Sequence, residues 1–146
     1  MLENSVGNWV GTGTFKMLSK VLPVLETLAV FKTDIEGVYS YIRKSNIGVG
    51  EDTETHDEAG YIGVVYSQVA LSRGTIVRLE KVLNTPNSIS YEAKLMSDDV
   101  VSMNREVSIL DSGNKMQWDN VMRVTGDGAL SAEHEIKTTF IRVGKV

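Results

Sequence analysis

The 146-residue chain contains no cysteine, which excludes disulfide bonds, thiolate metal ligands and a cysteine nucleophile. It has only two prolines and no low-complexity tract, so we predict a single domain over residues 1–146. No hydrophobic run approaches the roughly 20 residues of a membrane-spanning helix, and the N-terminus lacks the features of a secretory signal. The sequence therefore predicts no membrane partner and a cytoplasmic location.

Positive charge is in deficit, because 15 Lys and Arg residues face 19 Asp and Glu residues for a formal net charge of −4. An acidic chain is repelled by a phosphate backbone, so we expect no nucleic-acid partner. Neither an acid–base pair with diagnostic spacing nor an HExxH zinc motif occurs in the sequence. The residues alone thus define no catalytic site, and they leave both a monomer and a homodimer open.

The opening of the chain places one tryptophan, Trp9, among the glycines Gly7, Gly11 and Gly13. Glycines allow the first strand of a small barrel to bend sharply, and an indole can plug one end of that barrel. A barrel with a plugged end can hold a molecule inside. We therefore predict a small-molecule ligand in the interior.

Short segments with period-two alternation fill the rest of the chain, separated by turn residues. The predicted strands are Asn8–Phe15, Thr27–Thr33, Val38–Lys44, Glu58–Tyr66, Thr75–Leu83, Ser88–Met96, Val101–Leu110, Lys115–Thr125 and Glu133–Val143. About ten strands joined by hairpins predict an all-β fold, a single closed antiparallel up-and-down β-barrel. A β-sandwich is the competing arrangement.

Two segments interrupt this pattern. Apolar residues between Leu18 and Leu28 have helical spacing, which predicts at most one short helix after the first strand. Pro23 lies inside that segment and favours an extended alternative. The polar segment Asn46–His56 is predicted to be a flexible loop at one mouth of the barrel, with His56 leaning over the opening.

Alternation in the last two predicted strands identifies the side chains that face the interior. The inward residues are Met116, Trp118, Asn120, Met122 and Val124 on one strand, and His134, Ile136, Thr138, Phe140 and Arg142 on the other. Methionines and an indole form a polarisable wall that suits a planar ligand, or they simply fill the core. An inward imidazole near a mouth is either a hydrogen-bonded core residue or a ligand-binding group.

Arg142 falls where the last strand meets the first strand of a closed barrel. We predict that its guanidinium stacks on the Trp9 indole and hydrogen-bonds the strand ends, which is a structural role.

Four segments, in order along the chain, resemble the nitrobindins, a family of small haem-binding β-barrels. Residues 7–13 are similar to the family's G-x-W-x-G-x-G start, and residues 56–61 to its H-x-E-x-G-Y segment. Arg105-Glu106 followed by residues 111–122 is similar to the penultimate hairpin, and Leu130 with His134 to the closing strand. The G-x-W element is also shared with lipocalins and fatty-acid-binding proteins.

The resemblance implies a ten-stranded barrel that holds haem b at an exposed mouth. It assigns His134 as the proximal iron ligand, His56 as a pocket residue, and Met122, or else Val124, as a neighbour of the haem. Trp118 and Ile136 share the inner faces with these residues and complete the predicted site. Members of the family bind nitric oxide and isomerise peroxynitrite to nitrate, whereas a haem-free barrel for a fatty acid or pigment is the alternative.

Overall fold

The computed structural model describes residues 1–71, 76–94, 100–124 and 133–144. Ten antiparallel strands form a closed barrel in which each strand pairs with its neighbours along the chain and the last pairs with the first. They are β1 (Gly7–Met17), β2 (Lys20–Lys32), β3 (Val38–Ile47), β4 (Glu54–Gly63), β5 (Tyr66–Leu71), β6 (Ile76–Asn84), β7 (Ser88–Lys94), β8 (Val100–Leu110), β9 (Lys115–Val124) and β10 (Glu133–Gly144). The predicted all-β up-and-down barrel is confirmed, and the sandwich alternative is excluded.

Short 3-10 helices are the helical elements of the described residues, at Leu2–Ser5, Gly50–Asp52 and Asp111–Gly113. Within those residues no helix has the length and apolar character that crossing a bilayer requires.

The segment after the first strand, for which a short helix and an extended conformation were both left open, is extended and belongs to β2. Burial along β2 alternates, with Val24, Glu26 and Leu28 buried and Leu25 62% exposed. The strand pairs with β1 on one side and with β3 on the other. These ladders satisfy the backbone groups of an extended chain, which outweighs a local helical spacing.

Two other boundaries differ from the prediction. The loop predicted over Asn46–His56 is confined to residues 48–53, because β3 runs to Ile47 and β4 begins at Glu54. The predicted strand Glu58–Tyr66 is divided between β4 and β5, which are joined at the apolar pair Val64-Val65. Other predicted positions lie outside the described residues, namely Thr75, Met96, Thr125, Leu130 and the side chain of Val124.

One end of the barrel, called here the closed end, is sealed by the residues that precede β1. The indole Nε1 of Trp9 donates a hydrogen bond to the carbonyl of Ser5 at 2.8 Å. The Arg142 guanidinium lies 4.3 Å from the centroid of the Trp9 ring. It also donates to the carbonyls of Asn4, Val6 and Gly113. The predicted stack of Arg142 on Trp9 is therefore confirmed.

Gly11 allows side chains of β2 and β10 to contact each other inside the barrel, although β1 lies between these two strands. A Cβ atom at Gly11 would lie 2.6 Å from side-chain carbons of both Phe140 and Thr138. Without that Cβ atom, Thr138 on β10 reaches across β1 and donates a hydrogen bond to Glu26 on β2. The glycine-rich start thus permits a polar contact between two strands that are not neighbours.

Candidate ligand-binding site

The opposite end of the barrel, called here the open end, leads into a cavity of about 1020 Å³. This volume lies at the upper end of the range for small-molecule sites. Its apolar wall consists of Phe15, Met17, Leu22, Ile47, Met103, Met122 and Ile136. The cavity therefore has the size and the lining that an organic ligand requires.

His134 lies on this wall, near the start of β10, and is half-buried. In the barrel register it stands between Met17 on β1 and Met122 on β9. The Phe15 ring meets the imidazole edge to face, with ring centroids 5.7 Å apart. The structure thus brings His134, Met122 and Ile136 of the predicted site to one cavity wall.

His56 lines the same cavity from β4 rather than from a loop. Its side chain is exposed, and its Nε2 atom lies 3.4 Å from a carboxylate oxygen of Glu54. The surrounding rim is mostly acidic, with Glu51, Asp52, Glu54 and Asp57 on one side and Lys20 on the β2 side. His56 is therefore a rim residue in a negatively charged setting.

Trp118, the remaining residue of the predicted site, is fully buried and is not among the residues that line the cavity. Its ring packs edge to face on Tyr41, at a centroid distance of 5.0 Å, and on Phe140. The guanidinium carbons of Arg105 and Arg43 lie 4.9 and 5.3 Å from the indole centroid. Trp118 thus supports charged groups in the interior of the barrel.

Those charged groups form an ionic network of Glu26, Tyr41, Arg43, Glu58 and Arg105. Arg43 donates from Nε and Nη2 to the two carboxylate oxygens of Glu26. The same carboxylate accepts hydrogen bonds from Ser45 at 2.6 Å and from Thr138. Side chains of both Glu26 and Arg43 are almost inaccessible to solvent. A buried charge pair with this many partners satisfies the desolvated charges on both sides.

Glu58 occupies the centre of the ionic network and also lines the cavity. Arg43 Nη1 donates to its Oε1 at 3.0 Å, and Arg105 Nη2 donates to its Oε2 at 3.1 Å. The Tyr41 hydroxyl donates to Oε2 at 3.0 Å and accepts from Arg105 Nη1 at 2.7 Å. One carboxylate therefore joins both guanidiniums at the bottom of the cavity.

Burial and charge oppose each other in setting the ionisation of these groups. Burial by itself raises the pKa of Glu58, but Arg105 and Arg43 outweigh it and hold the pKa below its usual 4.5. The same balance, with Arg43 as the dominant cation, keeps the pKa of Glu26 low. Burial raises the pKa of Tyr41 well above its usual value, so its hydroxyl stays protonated. The ionic network consequently carries two positive and two negative charges at neutral pH.

The described residues contain no group of three or more His, Asp or Glu side chains arranged to hold a bare metal ion. His134 supplies one imidazole, which is the number of protein ligands in a five-coordinate haem.

The sequence matches no protein-family model and no curated protein. Among solved structures, the crystal structure of Rv2717c from M. tuberculosis is similar, with a TM-score of 0.68 and 19% identity. That likeness covers 97% of this chain and 94% of the other. The S-type phycobiliprotein lyase CPES from Guillardia theta is similar at a TM-score of 0.67 and 6% identity, over 97% of this chain and 90% of that one. Both likenesses show a shared fold, a closed antiparallel β-barrel.

The ionic network was not predicted from the sequence. Alternation could have found part of it, because Glu26 shares a face with Val24 and Leu28, and Arg43 shares a face with Tyr41. Glu58 and Arg105 lie in segments that resemble nitrobindin motifs, but the sequence assigned no role to either residue.

The two depressed carboxyl pKa values predict a stability that depends on pH. Because both folded-state values lie below 4.5, their contribution to the free energy of unfolding is complete above that pH. It is lost as the pH falls through the folded values, when Glu26 and Glu58 become protonated beside buried arginines. Urea unfolding midpoints measured from about pH 7 down to about pH 3 should fall steeply in the acid range. A Glu26→Gln variant should show a shallower fall, and equal slopes for both proteins would contradict this assignment.

Proposed function

We propose that the protein binds haem b in its cavity, with His134 as the axial iron ligand. The position of His134 carries this proposal, because its imidazole lies half-buried on an apolar wall inside a cavity of about 1020 Å³. A neutral imidazole is the usual protein ligand of a haem that leaves one iron position open.

The surrounding residues fit a porphyrin in three respects. Met122 and Ile136 flank the imidazole on the strand pair β9–β10 and offer soft apolar contacts. Phe15 packs against the imidazole and restricts its orientation. The haem propionates would face the open end, where Lys20 and solvent can pair with them. Apolar side chains would thus contact the ring on the wall beside His134, and the charged groups of the ligand would stay at the rim.

A bound haem would supply an iron with one position open to nitric oxide or peroxynitrite, as the nitrobindin resemblance implies. The chain itself would fix the ring through His134 and exclude water from its inner face through the apolar wall. His56 at the rim would offer a polar group to a small anionic or diatomic molecule that enters. On this basis we propose nitric-oxide binding or peroxynitrite isomerisation as the activity.

A haemin titration tests this function directly. We expect the purified protein to develop a Soret band with equimolar haemin, and His134→Ala to lose the band because the iron would lose the imidazole proposed to bind it. Added imidazole should restore the spectrum to the variant by filling the space of the missing side chain. Glu135→Ala, which changes the outward neighbour on the same strand, should behave like the unmodified protein. If His134→Ala keeps an unaltered Soret band, the proposal is wrong.

The acidic rim favours a second candidate, a haem-free barrel that binds a small hydrophobic molecule such as a fatty acid or pigment. Glu51, Asp52, Glu54 and Asp57 line the opening and would oppose the negative charge of the propionates. In that case haemin should produce no Soret band, while an apolar fluorescent probe should bind His134→Ala as tightly as it binds the unmodified protein.

A further inference from the structure

We propose that the Glu58 carboxylate occupies the place between Arg43 and Arg105 that the carboxylate of a ligand would otherwise take. The cavity would therefore accept ligands whose inner end is uncharged and reject ligands that enter with a carboxylate head group. This inference rests on the proposed function only in so far as the cavity binds a small molecule. It applies equally to haem and to the haem-free alternative, and it names Glu58 as a specificity-determining residue.

Every guanidinium nitrogen of the two buried arginines already donates a hydrogen bond within the protein. Arg43 directs Nε and Nη2 to Glu26 and Nη1 to Glu58. Arg105 directs Nε to Asn120 at 2.9 Å, Nη1 to Tyr41 and Nη2 to Glu58. Each nitrogen of both guanidiniums therefore donates to an acceptor of the protein. An entering carboxylate would have to compete with these acceptors for the guanidiniums.

The charge balance leads to the same conclusion. Two arginines and two glutamates cancel, so the bottom of the cavity offers no net positive charge to an anion. Glu58 and Arg43 both line the cavity, but the Glu58 side chain is 13% exposed whereas that of Arg43 is only 1% exposed, and Arg105 is fully buried. A second carboxylate there would meet a like charge in a medium that screens poorly. The inner end of a bound ligand must therefore be apolar or neutral.

The same constraint orients a ligand that carries acid groups at one edge only. Its acidic edge is excluded from the bottom of the cavity and must face the open end, so the apolar edge enters first. For haem this would leave the propionates at the rim. For a fatty acid it would oppose the head-first entry that a buried arginine pair would otherwise favour.

A matched pair of fluorescent probes tests the inference without haem. Dansyl-labelled undecanoic acid and its methyl ester share the chain and the label and differ at the head group, which is a carboxylate in one and a neutral ester in the other. The unmodified protein at about pH 7 should bind the ester at least about tenfold more tightly than the acid. Glu58→Gln removes the negative charge but keeps the shape, so its affinity for the acid should rise about tenfold or more, since a hydrogen bond to a charged group has about this effect.

Glu106→Gln is the matched control, because it removes one negative charge from the outer face of β8, beside Arg105 in the chain. This variant should keep the probe preference of the unmodified protein, which separates a local effect from a change in net charge. Preference of the unmodified protein for the acid would overturn the inference, as would a folded Glu58→Gln variant without any gain for the acid. If Glu58→Gln does not fold, the relative affinity of the unmodified protein for the ester and the acid tests the inference by itself. Ester preference without a haemin Soret band would remove the haem proposal and leave this inference standing.

Discussion

Replacing Glu26 by alanine is expected to lower the free energy of unfolding by about 3–5 kcal/mol, the usual cost of breaking a buried ion pair from one side. Arg43, whose side chain is 1% exposed, would lose the carboxylate that accepts from two of its nitrogens. Ser45 and Thr138 would lose their acceptor at the same time. Urea or thermal unfolding measures the loss directly.

Two comparisons show whether this loss comes from the buried charge. Glu80→Ala removes a carboxylate from an exposed pair with Arg78 at 2.8 Å, and the expected cost is below about 1 kcal/mol. The double variant Glu26→Leu with Arg43→Met replaces both charges of this pair by apolar groups and should recover part of the lost stability, because Ser45, Thr138 and Glu58 still lose a partner. Equal losses for Glu26→Ala and Glu80→Ala would contradict the role assigned to Glu26.

The faces of β9 and β10 were predictable from the sequence because both strands are regular and one face of β10 carries charges. Trp118 and Phe140 are buried as alternation indicated, and His134 faces the cavity. The contact between Arg142 and Trp9 followed from barrel closure, which brings the last strand beside the first. In these cases the alternation of side chains along a strand, together with the pairing of the first and last strands in a closed barrel, was sufficient to predict the contacts.

The extended conformation of β2 has a physical origin. Leucine spacing from Leu18 to Leu28 fits a helix locally, but helical spacing carries no information about the partners that an extended segment will find. Pairing of β2 with both β1 and β3 decides its conformation, and these strands are separated from it only by turns. The Val64-Val65 turn was also not predicted, because valine is not typical of turns and the local sequence therefore gave no sign of one.

The ionic network escaped prediction because charged residues are expected at the surface. Its members come from β2, β3, β4 and β8, and a single sequence does not reveal which charges meet across a barrel. Glu26 and Arg43 lie on neighbouring strands but not directly opposite each other, since Glu26 is in register with Ser45 and Arg43 with Leu28. Their contact depends on the register and tilt of the strands, which only the folded barrel defines.

Replacing Trp118 by alanine should cost about 3–5 kcal/mol of unfolding free energy, because the side chain is fully buried and its removal leaves a void. The expected loss has two sources. Tyr41 and Phe140 would lose an aromatic neighbour, and the guanidiniums of Arg43 and Arg105 would lose the ring face against which they pack.

Trp118→Phe separates these sources, since a phenyl ring keeps a face for the arginines and fills part of the void. Its expected cost is smaller than that of Trp118→Ala, by about 1–2 kcal/mol, when both are measured by urea unfolding. Gln117→Ala, which alters the outward neighbour on β9, should change the free energy of unfolding by less than about 0.5 kcal/mol. Because Trp118 lies outside the cavity lining, Trp118→Phe should still bind haemin through His134. A Trp118→Phe variant that is folded and stable but binds no haemin would instead place the indole in contact with the ligand.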